Sequence, residues 1–256
     1  MPELSVEQTL AAWMIAGSRV TGLLIAAPFL GSLSVPVRIK LGMAFVLTML
    51  LVPLVSAPAA SMPASALVSM LVGEVAIGFL LGFTLQFFFD AALVAGHVLG
   101  IQMGYSLASV INPQSQADSP VLATFHELVV LLLFIQLQVP HWLLRGLGRS
   151  FQYLPPGHFV LTGPAMAVFL QFTGGLWVAA VQIAAPVLVA TMFADVALGF
   201  LGKASPQLPV LFVGLSIKSL LGLALLCGAV ALWPRFFDSR FQQAMETSER
   251  ILKLAH

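Results

Sequence analysis

Long apolar runs alternate along the chain with short polar or proline-containing segments. No stretch keeps up the period-two alternation of a half-buried strand, so we predict an all-α protein with six or seven hydrophobic helices. Several runs reach the roughly 20 residues that a helix needs to cross a bilayer. The runs cover residues 10–30, 41–55, 66–89, 91–111, 121–144, 164–201 and 210–233.

The composition narrows the class of protein. Hydrophobic residues make up 59% of the 256 positions and charged residues 8%, with a mean hydropathy of +1.01. Soluble domains carry about 25% charged residues, so an ordinary soluble globule is excluded and an integral membrane protein, or a part of a very hydrophobic assembly, is indicated. The net charge of +1 gives no sign of nucleic-acid binding. With Cys227 as the single cysteine, an intramolecular disulfide is impossible.

The basic residues suggest an orientation, because they favour the cytoplasmic side of a membrane. The segments 38–40 and 145–149 and the tail 234–256 fall on one side if the chain crosses seven times, and Lys203 is the exception. The N-terminal segment has no basic residue before Arg19, which is not typical of a cleaved signal peptide.

Ionisable residues inside the apolar runs need an explanation, since a charge at mid-bilayer costs about 2.5–3.5 kcal/mol. A proton or ion path is one interpretation, and pairing between helices or subunits is the more usual one. No metal-binding spacing, nucleophile motif or paired carboxylates at catalytic spacing accompany them, so we predict no enzyme activity, metal or cofactor. The ionisable residues inside the apolar runs are Arg19, Glu74, Glu127, Asp195 and Lys218.

The segment 96–120 stands out. Gly96, Gly100 and Gly104 recur every four residues, so one helix face lacks side chains and another backbone can approach it closely. Asn112-Pro113 then breaks the helix, and a polar loop leads to Pro120. Irregular backbone at membrane depth survives only where protein covers it or where it lines a wet cavity. The alternative is plain helix packing followed by an ordinary surface loop.

Two further patterns concern packing and chain reversal. Gly78 and Gly82 form a second glycine pair with the same spacing, in the preceding helix. A turn between two long helices is predicted at residues 202–209, where glycine ends a helix and prolines prevent its continuation. The turn residues are Gly202, Pro206, Gln207 and Pro209.

Four segments in order resemble the FliR family, a component of the flagellar type III export gate whose virulence-secretion relatives form the SctT family. Each motif alone is weak, but together they extend from about residue 35 to residue 222. The segments are Val-Pro-Val-Arg-Ile-Lys-Leu-Gly at 35–42, Ile-Gly-Phe-Leu-Leu-Gly-Phe-Thr-Leu-Gln-Phe at 77–87, the glycine segment 96–113, and Ala-Ser-Pro-Gln-Leu at 204–208 with the following Phe212 and Gly214.

The resemblance implies an architecture and a set of partners. Residues 1–163 would be similar to FliP, with a pore loop at 106–120, and residues 164–256 would be similar to the FliQ hairpin. In the family, one such subunit joins several FliP and FliQ copies in a ring around an export channel for unfolded flagellar proteins. FlhB-like and FlhA-like gate proteins are further implied partners. The implied location is the bacterial inner membrane within the flagellar basal body, with much of the ring above the membrane plane.

The family also implies a pore-closing segment after the glycine helix, with the usual pattern Phe-Val-Asp-Pro. Here Val110 replaces the aromatic residue and Asn112 replaces the acid. A small apolar constriction remains the expectation. Its residues would be Leu107, Val110, Ile111, Asn112 and Pro113.

A secondary transporter of a small solute is the alternative, with Asp195, Glu74 or Lys218 in a substrate or proton site. Transporters often contain internal repeats of similar helix sets, and no such repeat is visible in this sequence. An export-gate subunit should co-purify with FliP-like and FliQ-like partners in a fixed ratio, whereas a transporter should be stable alone.

Overall fold

A computed structural model describes residues 6–28, 30–31, 35–55, 63–105, 120–205, 207 and 209–255. These residues form eight α-helices and one short 3-10 helix, and they contain no strand, so the predicted all-α class is confirmed. The helices are α1 (Val6–Ala26), α2 (Val37–Leu51), α3 (Ala64–Gln102), α4 (Val121–Gln136), α5 (Val139–Tyr153), α6 (Gly163–Ala204), α7 (Val210–Val230) and α8 (Trp233–Leu254), with the 3-10 helix at Val52–Leu54.

Helix α3 joins two apolar runs that the sequence pattern separates. We predicted one helix ending at the Phe87–Phe89 cluster and Asp90 and another extending to residue 111, but α3 is a single helix of 39 residues that ends at Gln102. The prediction was wrong at both points. Neither three phenylalanines nor a single aspartate interrupts backbone hydrogen bonding, and the segment contains no proline.

The next apolar run divides instead into two helices. Gln138 adopts a left-handed conformation with φ 55°, and Pro140 occupies the first turn of α5. Proline is tolerated there because the first amide groups of a helix lack intrahelical partners. The boundary between α4 and α5 is therefore set by a left-handed residue and the proline that follows it.

Contacts between residues divide the chain into two compact units. Unit 1 contains residues 1–87, 138–173 and 240–256, and unit 2 contains residues 88–137 and 174–239. Helices α3, α6 and α8 contribute to both units. Each unit therefore combines segments that are far apart in sequence.

Five of the described helices are long and apolar enough to cross a membrane, and up to six spans result if α4 and α5 count as one broken span. This count of candidate spans in the described residues is lower than the seven crossings considered for the charge distribution, chiefly because two of the predicted runs form the single helix α3. The five stretches are Glu7–Ala26, Val37–Leu54, Ser65–Gln102, Gly163–Ala204 and Phe212–Val230.

Helices α6 and α7 leave much apolar surface uncovered. Phe200, Phe212 and Leu220 are each 72% exposed, and Trp177 and Phe193 are nearly as exposed. So many exposed large apolar side chains indicate a surface that faces lipid or another protein. Helix α2 shows the same property, since Thr48 and Leu51 are its only buried residues.

Candidate functional site

The predicted constriction residues Leu107, Val110, Ile111, Asn112 and Pro113 lie in the segment 106–119, outside the described residues. We call residues 106–119 the 106–119 segment. The structure describes the two elements that frame it, namely the helix that precedes it and the helix that follows it. Both frame elements, the end of α3 and the start of α4, belong to unit 2.

The end of α3 is set by Gly104. Its φ of 85° lies in the left-handed region, where glycine carries no steric penalty. The Tyr105 amide donates to the Gly100 carbonyl at 2.9 Å, and the Gly104 amide donates to the Ile101 carbonyl at 3.1 Å. These two bonds form a Schellman motif. Gly104 therefore terminates the helix in the structure, and the glycine face that we predicted extends along α3 only as far as Gly100.

A polar cluster holds the same end of α3 against the α6/α7 hairpin. Asp195 of α6 accepts a hydrogen bond from Gln102 Nε2 at 2.8 Å through Oδ2 and pairs with Lys218 Nζ of α7 at 2.8 Å through Oδ1. The Ser219 hydroxyl donates to the Tyr105 hydroxyl at 2.8 Å. We call these five residues the Asp195 cluster. It connects the last turn of α3 to both arms of the hairpin.

Apolar packing reinforces this contact. Met103 is 2% exposed and lies over Gly222 of α7, where an added Cβ would approach the Met103 Cε to 2.6 Å. The absence of a side chain at Gly222 therefore makes room for Met103. The last residues before the 106–119 segment are thus held by hydrogen bonds, an ion pair and close packing.

The returning end of the segment is held by Gly96. A Cβ at this position would lie 2.5 Å from the Ala123 Cα and 2.7 Å from the Leu122 carbonyl oxygen. Helix α3 therefore touches the backbone of α4 within one turn of its start. Gly96 sets the separation of the two helices that flank the 106–119 segment.

Gly100 has a different environment from Gly96. No described atom lies within 4 Å of a Cβ built at Gly100, although both glycines lie on one face of α3. The atoms that would pack against Gly100 in the predicted role therefore lie outside the described part of this chain, for example in a neighbouring subunit.

This difference makes Gly96 and Gly100 a matched pair of test positions. We expect Gly96→Ala to destabilise the chain by about 1–3 kcal/mol, because the new methyl group meets backbone that has no room to move. Gly100→Ala should leave the folding of the chain unchanged or slightly more stable, since alanine favours a helix by about 1 kcal/mol. Thermal unfolding of the purified chain measures both. Equal destabilisation by the two substitutions would contradict the assignment.

The chain turns between α6, which ends at Ala204, and α7, which begins at Val210. Gly202 lies within the last turn of α6, Gln207 and Pro209 are exposed, and Pro206 lies outside the described residues. The ion pair of the Asp195 cluster joins the two arms beyond this turn, and Leu198 Cδ1 would lie 3.0 Å from a Cβ at Gly214. The two helices therefore pack side by side in opposite directions.

A second polar cluster is buried in unit 1 around Arg19, whose side chain is 0% exposed beside a 1% exposed Glu74. Arg19 Nε and Nη2 each lie 2.6 Å from Glu74 Oε2. Nη1 donates to the Ser150 hydroxyl at 2.9 Å, and Nη2 donates to the Leu154 carbonyl at 3.0 Å. The guanidinium carbon lies 4.0 Å from the centroid of the Phe151 ring. We call this group the Arg19 cluster.

Glycines allow the Arg19 cluster to form. Glu74, Gly78 and Gly82 share one face of α3 because they are four residues apart. A Cβ at Gly78 would lie 1.9 Å from the Arg19 carbonyl oxygen, and one at Gly82 would lie 2.8 Å from the Leu23 carbonyl oxygen. In the other direction, a Cβ at Gly22 of α1 would lie 2.1 Å from the Val75 carbonyl oxygen. Helices α1 and α3 therefore cross in direct backbone contact.

Four of the five ionisable residues in apolar runs thus pair between helices, as the more usual interpretation expects, and Glu127 is exposed. The sequence did not reveal the uncharged partners of these pairs. Gln102 lies in the glycine segment 96–113 but had no assigned role, and Ser150 and the Leu154 carbonyl carry no signal that a pattern search detects. Hydrogen bonding between elements far apart in sequence depends on the tertiary fold.

His126 is a buried histidine in unit 2 that the sequence left without a role. Its Nδ1 lies 2.7 Å from the Leu122 carbonyl oxygen, which can only accept, so Nδ1 carries the proton. The ring lies 5.0 Å from that of Trp233, and Nε2 has no hydrogen-bond partner among the described residues. This arrangement resembles a packed core histidine.

Comparison with known proteins places these features in context. The sequence matches the family model described as "Bacterial export proteins, family 1" over residues 10–244. It is 32% identical over 227 residues to the flagellar biosynthetic protein FliR of Escherichia coli (strain K12). The aligned residues cover 88% of this chain and 86% of that protein. It is 27% identical over 253 residues to FliR of Bacillus subtilis (strain 168), covering 98% of each chain. FliR of Aquifex aeolicus (strain VF5) is 25% identical over 256 residues.

The matched span begins within α1 and ends within α8. It therefore includes the Arg19 cluster, the Asp195 cluster and the 106–119 segment. The similarity is not confined to one hydrophobic helix that any membrane protein could share.

Proposed function

The chain belongs to the bacterial export proteins of family 1, and on this premise we propose that it is a non-enzymatic subunit of the flagellar protein-export gate. Its proposed role is to help to form and to close the channel through which unfolded flagellar proteins leave the cell. The observation that carries the proposal is the match over residues 10–244 together with relatives named flagellar biosynthetic protein FliR.

The partners of this subunit are proposed to be FliP-like and FliQ-like gate proteins, with FlhB-like and FlhA-like proteins nearby. The uncovered apolar surfaces of α2, α6 and α7 support an assembly, because a single chain leaves them exposed. The site of assembly would be the inner membrane within the flagellar basal body, with much of the ring above the membrane plane. No nucleic acid and no cofactor enters the proposal.

The division into a FliP-like part at 1–163 and a FliQ-like hairpin at 164–256 is kept as a proposal. The start of α6 at Gly163 and its return through α7 support a separate hairpin. The two compact units combine residues from both parts. The proposed division therefore refers to sequence similarity and not to independently packed units.

The 106–119 segment is proposed to be the closing element. A narrow apolar ring can hold a channel shut by dewetting, without a charged gate. Leu107, Val110 and Ile111 supply apolar side chains of moderate size, while the following residues are polar. The Asp195 cluster and the Gly96 contact support this role, because they hold the helices on both sides of the segment.

A four-residue deletion tests the closing role. Removal of residues 110–113 should make the membrane permeable to small ions while the complex still assembles, because the apolar part of the segment is lost. Val110→Phe should tighten closure and slow export, since a larger apolar side chain strengthens dewetting. The measurements are membrane conductance to small ions or dyes and the rate of flagellar protein export.

Removal of residues 116–119 is the matched control, because it shortens the same segment by the same length in its polar half. This variant should stay tight. If the 110–113 deletion assembles and remains as impermeable as the parent, the segment is not the seal. If both deletions leak equally, segment length matters and the apolar residues do not.

A secondary transporter is not favoured. The relatives are named for flagellar biosynthesis, and each charged residue assigned to a transport site is paired with a residue of opposite charge. Glu74 lies against Arg19, and Asp195 lies against Lys218. Co-purification with FliP-like and FliQ-like subunits in a fixed ratio distinguishes the two functions.

A further inference from the structure

A charged cleft of about 360 Å³ lies in unit 1 between α5 and α8. One wall carries Arg145 and Arg149, which are four residues apart and so share a face of α5. The other wall carries Glu246 and Glu249, three residues apart on α8. The complete lining is Trp142, Arg145, Gly146, Arg149, Gln242, Met245, Glu246 and Glu249.

The two walls carry opposite charges that do not meet. Among the described residues, no ion pair or hydrogen bond joins either arginine to either glutamate, and the one ion pair of the cleft runs from Glu249 to Lys253 on the same helix at 3.9 Å. Opposite charges attract each other. A group with an anion at one end and a cation at the other would satisfy both walls at once.

We propose that this cleft binds the headgroup of a zwitterionic phospholipid with a primary ammonium, of the phosphatidylethanolamine type. The phosphate would lie against Arg145 and Arg149, since guanidinium groups match phosphate oxygens in charge and geometry. The ammonium would lie against Glu246 and Glu249. The inference does not depend on the proposed export function.

The surroundings favour a lipid over a soluble ligand. The described residues include five helices that are apolar and long enough to cross a membrane, so phospholipid is available to bind. Helices α5 and α8 bury one side and expose charges on the other, as helices at a membrane surface do. Trp142, which lines the cleft, is a residue type enriched at headgroup level.

The charge balance favours a zwitterion over an anionic lipid or an acidic protein segment. Two arginines and two glutamates give the cleft no net charge. A purely anionic headgroup would gain from one wall and be repelled by the other. Gly146 and Met245, which also line the cleft, lie close together, since a Cβ at Gly146 would lie 2.7 Å from the Met245 Cε.

The test uses the full-length chain, purified in detergent with its co-purifying subunits and stripped of lipid. Bound lipid is counted by native mass spectrometry after addition of phosphatidylethanolamine, phosphatidylglycerol or soluble glycerophosphoethanolamine. We expect phosphatidylethanolamine to be retained most. Replacing either wall, by Arg145→Gln with Arg149→Gln or by Glu246→Gln with Glu249→Gln, should weaken its binding by about tenfold or more, because at least one charge-assisted contact is lost.

Arg250→Gln is the matched control, because Arg250 is exposed on α8 and does not line the cleft, so lipid retention should stay at the parent level. The replaced residues are at the surface of the cleft, and unchanged circular dichroism verifies that each variant folds. Equal retention of phosphatidylethanolamine and phosphatidylglycerol would overturn the proposal, as would variants that bind like the parent. Binding of the soluble headgroup as strong as that of the lipid would also overturn it. Loss of co-purifying subunits with unchanged lipid binding would assign the cleft to a protein partner.

Discussion

Arg19→Leu is expected to destabilise the chain by about 3–5 kcal/mol, the cost of breaking a buried ion pair from one side. The substitution would leave the Glu74 carboxylate in a site where 1% of its side chain is exposed. Among the described residues, the donor that remains is the Gly157 amide at a distance of 3.4 Å. Such a loss is a large part of the stability of a typical domain, so we also expect little of the variant to accumulate in the membrane.

The double substitution Arg19→Leu with Glu74→Leu separates two costs, that of leaving the Glu74 carboxylate unpaired and that of losing the other contacts of the Arg19 side chain. It removes both charges, so it should recover a large part of the loss despite leaving the Leu154 carbonyl without its arginine donor. Lys253→Met is the surface control, because its pair with Glu249 is exposed and such pairs are worth about 0–1 kcal/mol. Thermal unfolding of the three purified variants measures the differences. A double variant no more stable than Arg19→Leu would contradict the view that the uncompensated carboxylate is the main cost.

Gly78→Ala is expected to destabilise unit 1 by about 3 kcal/mol, the upper end of the cost of overpacking. The added methyl group would lie 1.9 Å from the Arg19 carbonyl oxygen and 2.8 Å from the Leu23 backbone nitrogen. Both are backbone atoms of α1, so the helices must separate. Separation also draws Arg19 away from Glu74, which lies one turn before Gly78 on the same face of α3.

Gly42→Ala is the matched control, because Gly42 lies in α2 and no described atom would lie within 4 Å of its Cβ. It should be neutral or stabilising by up to about 1 kcal/mol, the difference in helix propensity. Steady-state level in the membrane and thermal unfolding of the purified chain test both variants. Similar stability of the two would mean that α1 and α3 do not depend on the close crossing at Gly78.

Local patterns in the sequence determined several features of this protein. The absence of period-two alternation and the length of the apolar runs predict an all-α membrane chain, because hydrogen bonding within each helix satisfies the backbone without distant partners. The positions of Gly78, Gly82 and Gly96 mark helix faces without side chains, and their spacing alone reveals this. The order of four short motifs was enough to identify the family.

Boundaries between helices were determined less well by the sequence. A polar residue interrupts an apolar run at both Asp90 and Gln138, yet the chain continues helically through the first and breaks at the second. A single polar residue does not end a helix, whereas a left-handed residue followed by proline does. The role of Gly104 as a helix terminator likewise depends on its φ, which residue spacing does not reveal.

Only the tertiary structure decided which residues meet. The sequence indicates that a charge such as Arg19 or Lys218 in an apolar helix needs a partner, because an unpaired charge there is costly. It does not identify Glu74 and Asp195 as those partners, since the pairs are 55 residues apart in the first case and belong to different helices in both. The crossing of helices sets these distances, and that crossing depends on backbone contacts at glycines whose neighbours lie far away in sequence. The opposed walls of the cleft between α5 and α8 arise in the same way, from two helices that only the fold brings together.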